Sequence, residues 1–204
     1  MKNKKIFIEK EIKDLAKQIL SALAHSHSLN FAHRDVKADN IMYANQSSES
    51  PIKLIDFGFA TRFKSKNEFN ELMGSPLYMA PEVVSGKNYN EKCDIWSCGI
   101  VIYFLICGKF PYKSFSSAKL LFKEISEYQF VFNNLKEFKH FSEKGKSFLL
   151  RALNSDQNKR PSANELLLDP WFSSEEIGSE LNSKDKIEIL DSIQKYKVSF
   201  NLEL

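Results

Sequence analysis

Cysteine is scarce in this sequence, and its placement excludes two classes of protein. Cys93, Cys98 and Cys107 lie in one apolar stretch, with no C-x-x-C pair and no neighbouring cluster of His and Cys. A structural zinc site needs such a pair or cluster, and a disulfide framework needs more cysteines than three in one apolar stretch. We therefore expect buried, reduced thiols and a reducing intracellular compartment, the cytoplasm or the nucleus.

Long apolar runs are also missing. Met1 to Lys5 is basic, but no apolar signal-peptide core follows it. The most apolar segment, Ile95 to Ile106, contains Trp, Ser, Cys and Gly. It is shorter than the roughly 20 residues that a membrane-spanning helix needs. The pattern predicts a buried helix and no membrane partner.

The chain has little excess charge of either sign. Its 29 Lys and Arg against 26 Asp and Glu give a net charge of +3, and the two signs are interspersed. This favours a solvated surface over a nucleic-acid or membrane-binding face. With 204 residues, 43% of them apolar, the chain suits one domain, and its 17 Phe predict an aromatic-rich interior.

Hydrophobic periodicity predicts a mostly helical chain with a few short strands. Apolar residues recur at helical spacing from Glu11 to Leu23. Short apolar segments that read as strands around a turn are Phe31-Ala32, Ile41-Met42-Tyr43 and Ile52 to Ile55.

Further helices are predicted towards the C-terminus, over Asp94 to Gly108, Ser116 to Tyr128 and Ser142 to Leu153. Ser162-Ala163-Asn164-Glu165 predicts a capping box that begins another helix. The polar residues from Phe59 to Met79 predict an irregular, mobile loop.

Two short motifs carry the chemistry. The first runs from His33 through Arg34, Asp35, Val36, Lys37, Ala38 and Asp39 to Asn40, and the second is Asp56-Phe57-Gly58. Either motif alone is typical of a turn. Both together, in this order and with this spacing, indicate a phosphoryl-transfer site.

The residue types explain why the pattern suits that reaction. Phosphoryl transfer needs an aligned acceptor hydroxyl and neutralised phosphate charge rather than covalent chemistry. Asp35 can accept or orient the hydroxyl proton, and Lys37, two residues on, projects to the same side of an extended backbone. Asn40 and Asp56 offer the oxygen ligands that Mg²⁺ prefers.

From about Ile12 to Phe172 the chain resembles the C-terminal lobe of eukaryotic protein kinases. The two motifs carry this likeness together with Gly74-Ser75-Pro76-Leu77-Tyr78-Met79-Ala80-Pro81-Glu82, Asp94-Ile95-Trp96-Ser97-Cys98-Gly99 and Lys159-Arg160-Pro161. The resemblance implies a protein-kinase-like C-terminal lobe, mostly α with a few short strands. It implies ATP and Mg²⁺ as cofactors and protein serine or threonine as the substrate.

The resemblance also implies a role for each matching residue. Asp35 would be the base, Lys37 would contact the phosphate, and Ser75 would act by bridging these two residues. Asn40 and Asp56 would bind Mg²⁺, with Phe57 and Gly58 completing the second motif, and Met42 would lie beneath adenine. Glu82 would pair with Arg160, and Asp94 would hold the backbone of His33 and Arg34.

Within the family, Lys37 and Gly-Ser-Pro are similar to the serine/threonine branch. Ser75 stands where threonine is usual, and its hydroxyl would bridge Asp35 and Lys37. Ile100 to Tyr112 is similar to calmodulin-dependent and calcium-dependent kinases, whereas Gly-Ser-Pro-Leu-Tyr-Met is also similar to Unc-51-like autophagy kinases. Phe104 replaces a substrate-binding glutamate of some basophilic kinases, which argues against a strong arginine preference there.

Glu71 occupies the position of the family's activating phosphothreonine. Kinases with an arginine before the catalytic aspartate usually need a phosphate to balance it. A carboxylate carries one negative charge, against roughly 1.5 to 2 for a phosphate. The hypothesis is that Glu71 pairs permanently with Arg34 and removes the need for loop phosphorylation; the alternative is an exposed loop glutamate.

The sequence contains no Gly-x-Gly-x-x-Gly and no strand lysine paired with a helix glutamate. We therefore expect residues 1–172 to form a C-terminal lobe without an N-terminal lobe, and the isolated chain to have little or no kinase activity. Residues 173–204 are expected to form a linker and tail helix, either packed on the lobe or similar to the autoinhibitory junction of calcium-dependent kinases.

Two further interpretations stay open. A catalytically silent lobe could act as a binding module, although the retained Asp35 and Asp56 argue against purposeful inactivation. An N-terminal lobe could also come from another chain. The expected partners are a protein substrate and a calcium-sensing module or such a lobe, with no nucleic acid.

Overall fold

Helix α1 (Glu9–Ser28) shows how the apolar pattern builds this fold. The computed structural model describes residues 8–45, 50–64, 69–114, 117–130 and 136–175. One face of α1 is buried at Ile12, Ala16, Ile19 and Leu23, the spacing that a helix brings to one side. The helix is longer than the predicted Glu11–Leu23. Its first turn contains Glu9 and Glu11 and its last turn contains His25 and His27, and the helix dipole favours acidic residues at the first turn and basic residues at the last.

Helix α3 (Cys93–Cys107) is buried on almost every side and forms the centre of the core. It ends at Gly108, whose φ of 66° places it in the left-handed region that commonly terminates helices. The three cysteines are buried and free, as predicted. Burial raises the pKa of the Cys98 thiol to about 12, so the thiol stays protonated and unreactive.

In the described part of the chain, four short strands form two antiparallel pairs. Strand β1 (Phe31–Ala32) pairs with β4 (Thr61–Arg62), and β2 (Ile41–Tyr43) pairs with β3 (Ile52–Leu54). The three predicted strands are confirmed. Strand β4 falls in the segment predicted to be irregular, because two residues are too few to show an alternating pattern.

The rest of that segment is also ordered by hydrogen bonds. Phe69 and Tyr89 form a two-way backbone bridge, with N–O distances of 3.1 and 2.8 Å. A 3₁₀ turn follows at Pro76–Tyr78. The expectation of an irregular loop is therefore wrong for these parts, while residues 65–68 lie outside the described part of the chain.

The remaining elements are α2 (Pro81–Val84), α4 (Ala118–Ser126), α5 (Glu143–Ala152), α6 (Ala163–Leu167), α7 (Pro170–Ser173) and 3₁₀ turns at Ala38–Asn40 and Lys136–His140. Helices α4 and α5 are shorter than predicted, and α2 and α7 were not predicted because four residues carry no period. The capping box is confirmed, since Ser162 and Glu165 bond to each other's backbone N–H.

Aromatic side chains fill the base of the core, as the Phe count predicted. Trp171 packs 4.7 Å from Phe148 between ring centroids. Its indole N–H donates to the buried carboxylate of Glu9 at 2.8 Å, and that carboxylate also accepts from Ser142 N at 2.9 Å. These bonds join α1 to α5 and α7.

In the described ranges, no helix is both long and apolar enough to cross a membrane. The predicted linker and tail helix fall mostly at residues 176–204, outside the described residues.

Candidate active site

The loop between β1 and β2 carries the first motif, and Asp94 of α3 holds it from below. The Asp94 carboxylate is fully buried and accepts from His33 N and Arg34 N, each at 2.8 Å. This is the contact that the resemblance implied. It links the position of the motif to the buried central helix of the core.

A third partner of Asp94 was missed from the sequence. The Nε2 atom of His27, in the last turn of α1, lies 2.9 Å from Asp94 Oδ2. Burial alone would raise the pKa of Asp94, but the bond and charge of His27 and the two backbone N–H groups lower it below its ordinary value. A histidine near a helix end has many ordinary roles, so the sequence held no specific signal.

His33 is fully buried and uses both ring nitrogens. Its Nδ1 accepts from Asp35 N at 3.2 Å, and Nε2 lies 3.1 Å from the Ile55 carbonyl oxygen. These two partners require the neutral tautomer with its proton on Nε2, because Ile55 can only accept. The Phe57 ring packs on His33 with centroids 4.7 Å apart, so His33 joins the two motifs.

Two residues of the motifs have left-handed backbone. Arg34 has a φ of 64° and Asp56 a φ of 62°. Such conformations cost non-glycine residues of the order of 1–3 kcal/mol and concentrate at functional sites. The hydrogen bonds that His33 N and Arg34 N donate to Asp94 help to hold Arg34 in this backbone conformation.

The Asp35 carboxylate is held on both oxygens. Ser75 N donates to Oδ1 at 2.8 Å, Asn40 Nδ2 lies 3.2 Å from Oδ2, and Lys37 Nζ lies 2.8 Å from Oδ2. The same Lys37 ammonium donates to Ser75 Oγ at 2.9 Å. The structure thus brings these four predicted residues together. Ser75 bridges the pair through its backbone N–H and its hydroxyl, rather than through the hydroxyl alone as the sequence suggested.

Gly74 is the point where the substrate-loop segment crosses the first motif. Its φ is 112°, and a Cβ there would lie 2.4 Å from the main-chain oxygen of Arg34. Only glycine has both the conformation and the space for this approach. The crossing is what delivers Ser75 to Asp35.

Asn40 and Asp56 present oxygens suited to a hard cation. Asn40 Nδ2 donates to the Asp35 main-chain oxygen at 2.9 Å. The Oδ1 atom of Asn40 takes no part in this bond. Asp56 is exposed, and Gly58 N donates to its Oδ1 at 3.2 Å. Among the described residues, no group of three or more His, Cys, Asp and Glu could hold a metal. An Asn and one carboxylate fit Mg²⁺, which keeps waters and phosphate oxygens as its other ligands.

Arg34 and Glu71 form the ion pair that the sequence suggested. Arg34 Nη1 donates to Glu71 Oε2 at 2.7 Å, and Arg34 Nε donates to the Phe59 main-chain oxygen at 2.8 Å. The guanidinium lies over the Phe69 ring at 5.3 Å from its centroid. Burial acts to lower the pKa of Arg34, but the bonds to Glu71 and Tyr89 outweigh it, and the net shift is upward.

Glu82 and Arg160 form a second, buried pair. Arg160 donates to the two Glu82 carboxylate oxygens at 2.7 and 3.0 Å, in the bidentate geometry of strong ion pairs. Arg160 also donates to main-chain oxygens of Asn154 and Lys92 and lies over the Trp96 ring. The pair fixes the end of the segment that begins at Gly74.

Apolar side chains line the exposed edge beside the two motifs. Met42 and Phe57 are 54% and 51% exposed. The position implied for Met42, beneath adenine, is therefore open to solvent. Phe104 is partly buried and packs on Phe110 with centroids 4.9 Å apart, so it presents an aromatic ring where some kinases present a carboxylate.

Comparison with known proteins agrees with this geometry. The family model described as protein kinase domain matches residues 1–172. Calcium-dependent protein kinase 5 of Plasmodium berghei is 37% identical over 166 residues, which cover 81% of this chain and 29% of that relative. Calcium-dependent protein kinase 3 of the same organism is 35% identical over 198 residues, 97% of this chain and 35% of the relative.

A bovine relative gives a similar result. Serine/threonine-protein kinase 33 of Bos taurus is 33% identical over 199 residues, covering 94% of this chain and 40% of that protein. The chain therefore belongs to the protein kinase family, and its mostly helical fold is the one expected for the C-terminal lobe. It spans between 29% and 40% of the length of these relatives.

Proposed function

We propose that this chain is the C-terminal catalytic part of a serine/threonine protein kinase that transfers phosphate from ATP to protein hydroxyls. The observation that carries the proposal is the arrangement around Asp35. One oxygen of its carboxylate accepts from Ser75 N, and the other lies 2.8 Å from Lys37 Nζ. Such fixed groups suit a reaction that depends on positioning and charge.

Each residue has a defined task in this reaction. Asp35 orients the acceptor hydroxyl and takes its proton, while Lys37 turns its ammonium towards the phosphate that is transferred. Ser75 fixes the relative position of these two groups. General-base catalysis of this kind contributes about 10²–10⁴-fold in rate.

Asn40 and Asp56 would hold Mg²⁺, and Met42 would contact the adenine of ATP. Bound Mg²⁺ would neutralise phosphate charge. The exposed Asp56 carboxylate and the exposed Met42 side chain leave both groups accessible to a nucleotide. The contacts to adenine and phosphate from above would come from a glycine-rich loop and strand lysine, which this sequence does not contain.

Regulation is proposed to involve calcium. The names of two relatives contain the words calcium-dependent, and the sequence pattern at residues 185–204 is similar to the junction of such kinases. Deletion of residues 185–204 from a protein that also carries an N-terminal lobe should raise basal transfer. Unchanged transfer would contradict this part of the proposal.

The proposed activity is tested with two proteins. One is the 204-residue chain, and the other is the same chain joined behind an N-terminal lobe of the family. With radiolabelled ATP and Mg²⁺, we expect the joined protein to phosphorylate serine peptides in preference to tyrosine peptides, and the chain alone to show little transfer. If neither protein transfers phosphate while both bind protein partners, the binding-module alternative is correct.

A further inference from the structure

A polar cavity lies outside the catalytic cluster. It is lined by the first turn of α2 and the residues that follow that helix, by the last residue of α4 and by the loop after α5. It is open to solvent and has a volume of about 370 Å³. Cavities of this size hold small ligands or a few residues of a peptide. None of the residues assigned to phosphoryl transfer lines it.

The walls of the cavity are fixed by hydrogen bonds. Gln157 Nε2 donates to the Asn88 main-chain oxygen at 2.9 Å, which joins the loop after α5 to the segment after α2. Lys87 N donates to the Glu82 main-chain oxygen at 3.1 Å. Asn158 N donates to Asp156 Oδ1 at 3.0 Å. The cavity is therefore formed before any ligand binds.

The charged side chains around the cavity differ in whether they already have a partner. The Glu82 carboxylate is occupied by Arg160. One oxygen of Asp156 accepts from Asn158 N, and the other lies 3.8 Å from Lys159 Nζ. Lys87 also lines the cavity. Within the described ranges, its ammonium has no carboxylate within ion-pair distance and no hydrogen bond. It is the cation of this cavity that a ligand can neutralise.

Two serine hydroxyls supply acceptors. Ser85 Oγ donates to the Pro81 main-chain oxygen at 2.6 Å, and Ser126 Oγ donates to the Lys123 main-chain oxygen at 2.8 Å. Because each hydroxyl proton is used, the lone pairs of both oxygens remain to accept from N–H groups of a ligand.

We propose that this cavity binds a short acidic segment of a protein partner. A Glu or Asp carboxylate would pair with Lys87, and neighbouring main-chain N–H groups would donate to Ser85 and Ser126. A phosphate group fits less well because its recognition usually uses several cations, and Lys87 is the one cation among the described residues that line the cavity. A nucleotide base fits less well because none of those described residues is aromatic.

The position of the cavity connects it to the proposed reaction. Pro81 and Glu82 form part of its wall, and they continue the segment in which Ser75 contacts Asp35. A protein substrate with an acidic segment at a matching distance from its serine would be held at two places, which raises its effective concentration at Asp35. This consequence rests on the proposed kinase function, whereas binding in the cavity does not.

The test is a titration of the isotopically labelled 204-residue chain, followed by NMR of its backbone amides. The probes are the capped peptides acetyl-Gly-Glu-Gly-amide and acetyl-Gly-Gln-Gly-amide. We expect the glutamate peptide to bind weakly, to shift the amides of Lys87, Gln157 and Asn158, and to bind at least threefold more tightly than the glutamine peptide. Lys87→Gln should remove that preference, and Lys53→Gln, at an exposed lysine on β3, should keep it.

Three results would overturn the proposal. The first is the absence of shifts at the cavity amides up to tens of millimolar glutamate peptide. The second is a preference for glutamate that survives Lys87→Gln. The third is binding that survives Ser126→Phe, a variant that fills the cavity and keeps the lysine, since such binding would be attraction to a surface charge alone. No step of this test requires phosphoryl transfer, so its outcome is independent of the kinase assay.

Discussion

Two arginine–glutamate pairs in this molecule share one construction but differ in their surroundings. Arg160 with Glu82 and Arg34 with Glu71 each have an N–O distance of 2.7 Å, and each arginine lies over an aromatic ring. The Glu82 side chain is 4% exposed, and the Glu71 side chain is 63% exposed. Equal shortest distances therefore have unequal energetic weight, because the buried pair is bidentate and solvent screens the Glu71 carboxylate of the second pair.

The difference assigns the two pairs to different tasks. A charge left alone in the interior is costly, so the buried pair must stay intact for the fold to persist. In the other pair the Glu71 carboxylate is exposed, although the Arg34 side chain is only 7% exposed, so this pair can break at a lower cost in stability than the buried pair. It is therefore suited to control the loop that carries Glu71, while the buried pair fixes the end of that same loop.

The largest effect is expected at the buried pair. Glu82→Gln leaves Arg160 buried without its counter-charge and should lower the free energy of unfolding by about 3–5 kcal/mol. Urea denaturation followed by circular dichroism measures this. In the double variant Glu82→Leu with Arg160→Met, much of the loss should be recovered, since no lone charge remains. A loss below about 1 kcal/mol for Glu82→Gln would contradict the conclusion that the fold depends on the buried pair.

The next effect is expected at Asp94. Asp94→Asn removes the charge that orders His33 and Arg34, and charge-assisted hydrogen bonds are each worth about 1.5–3 kcal/mol. The pKa of Asp94 is lowered in the fold, so its contribution to stability is present at neutral pH and is lost as the pH falls below about 4 towards that lowered pKa. The difference in unfolding free energy between wild type and variant should shrink over that range. A constant difference from pH 7 to pH 3 would refute this.

A smaller effect on stability is expected at Gly74. Gly74→Ala places a Cβ against the Arg34 carbonyl at a φ of 112°, and strain of this kind costs of the order of 1–3 kcal/mol. Because the crossing places Ser75 against Asp35, we expect the rate of phosphate transfer by the joined protein to fall by more than the loss of folded protein would explain. Gly86→Ala is the matched control: it also has a positive φ, but no atom lies within 4 Å of the position that its Cβ would occupy. Equal loss of transfer in both variants would show that the crossing is not important.

The smallest effect on stability is expected at Glu71. Glu71→Gln should change the unfolding free energy by less than about 1 kcal/mol, because the Glu71 carboxylate is 63% exposed and solvent screens its charge. Phosphoryl transfer by the joined protein should nevertheless fall, since Arg34 loses its fixed partner. Unchanged transfer would leave Glu71 as an ordinary loop glutamate and would remove the contrast between the two pairs.

The sequence predicted most of the fold and the motifs whose residues meet around Asp35, for identifiable reasons. Helices α1 and α3 are long enough to show a period or a continuous apolar run, and Asp35, Lys37, Asn40 and Asp56 lie in motifs whose spacing is specific. Strand β4 and helices α2 and α7 are too short for either signal. His27 was missed because its function depends on Asp94, which lies 67 residues away in the chain.

Some features depend on three-dimensional contact alone. The crossing at Gly74 allows Ser75 to reach Asp35 through its backbone N–H, and no sequence pattern predicts this crossing. The cavity beside Lys87 is formed by three segments that are distant in the sequence. Only the fold brings these segments together.

The most direct test of the account is Asp35→Asn in the joined protein. The asparagine keeps the size of the side chain but cannot accept the hydroxyl proton. We predict that the rate of phosphate transfer to a serine peptide falls by at least about 100-fold, while the denaturation midpoint shows that the protein stays folded. Transfer within about threefold of the wild type would contradict the assignment of Asp35 and the proposed function with it.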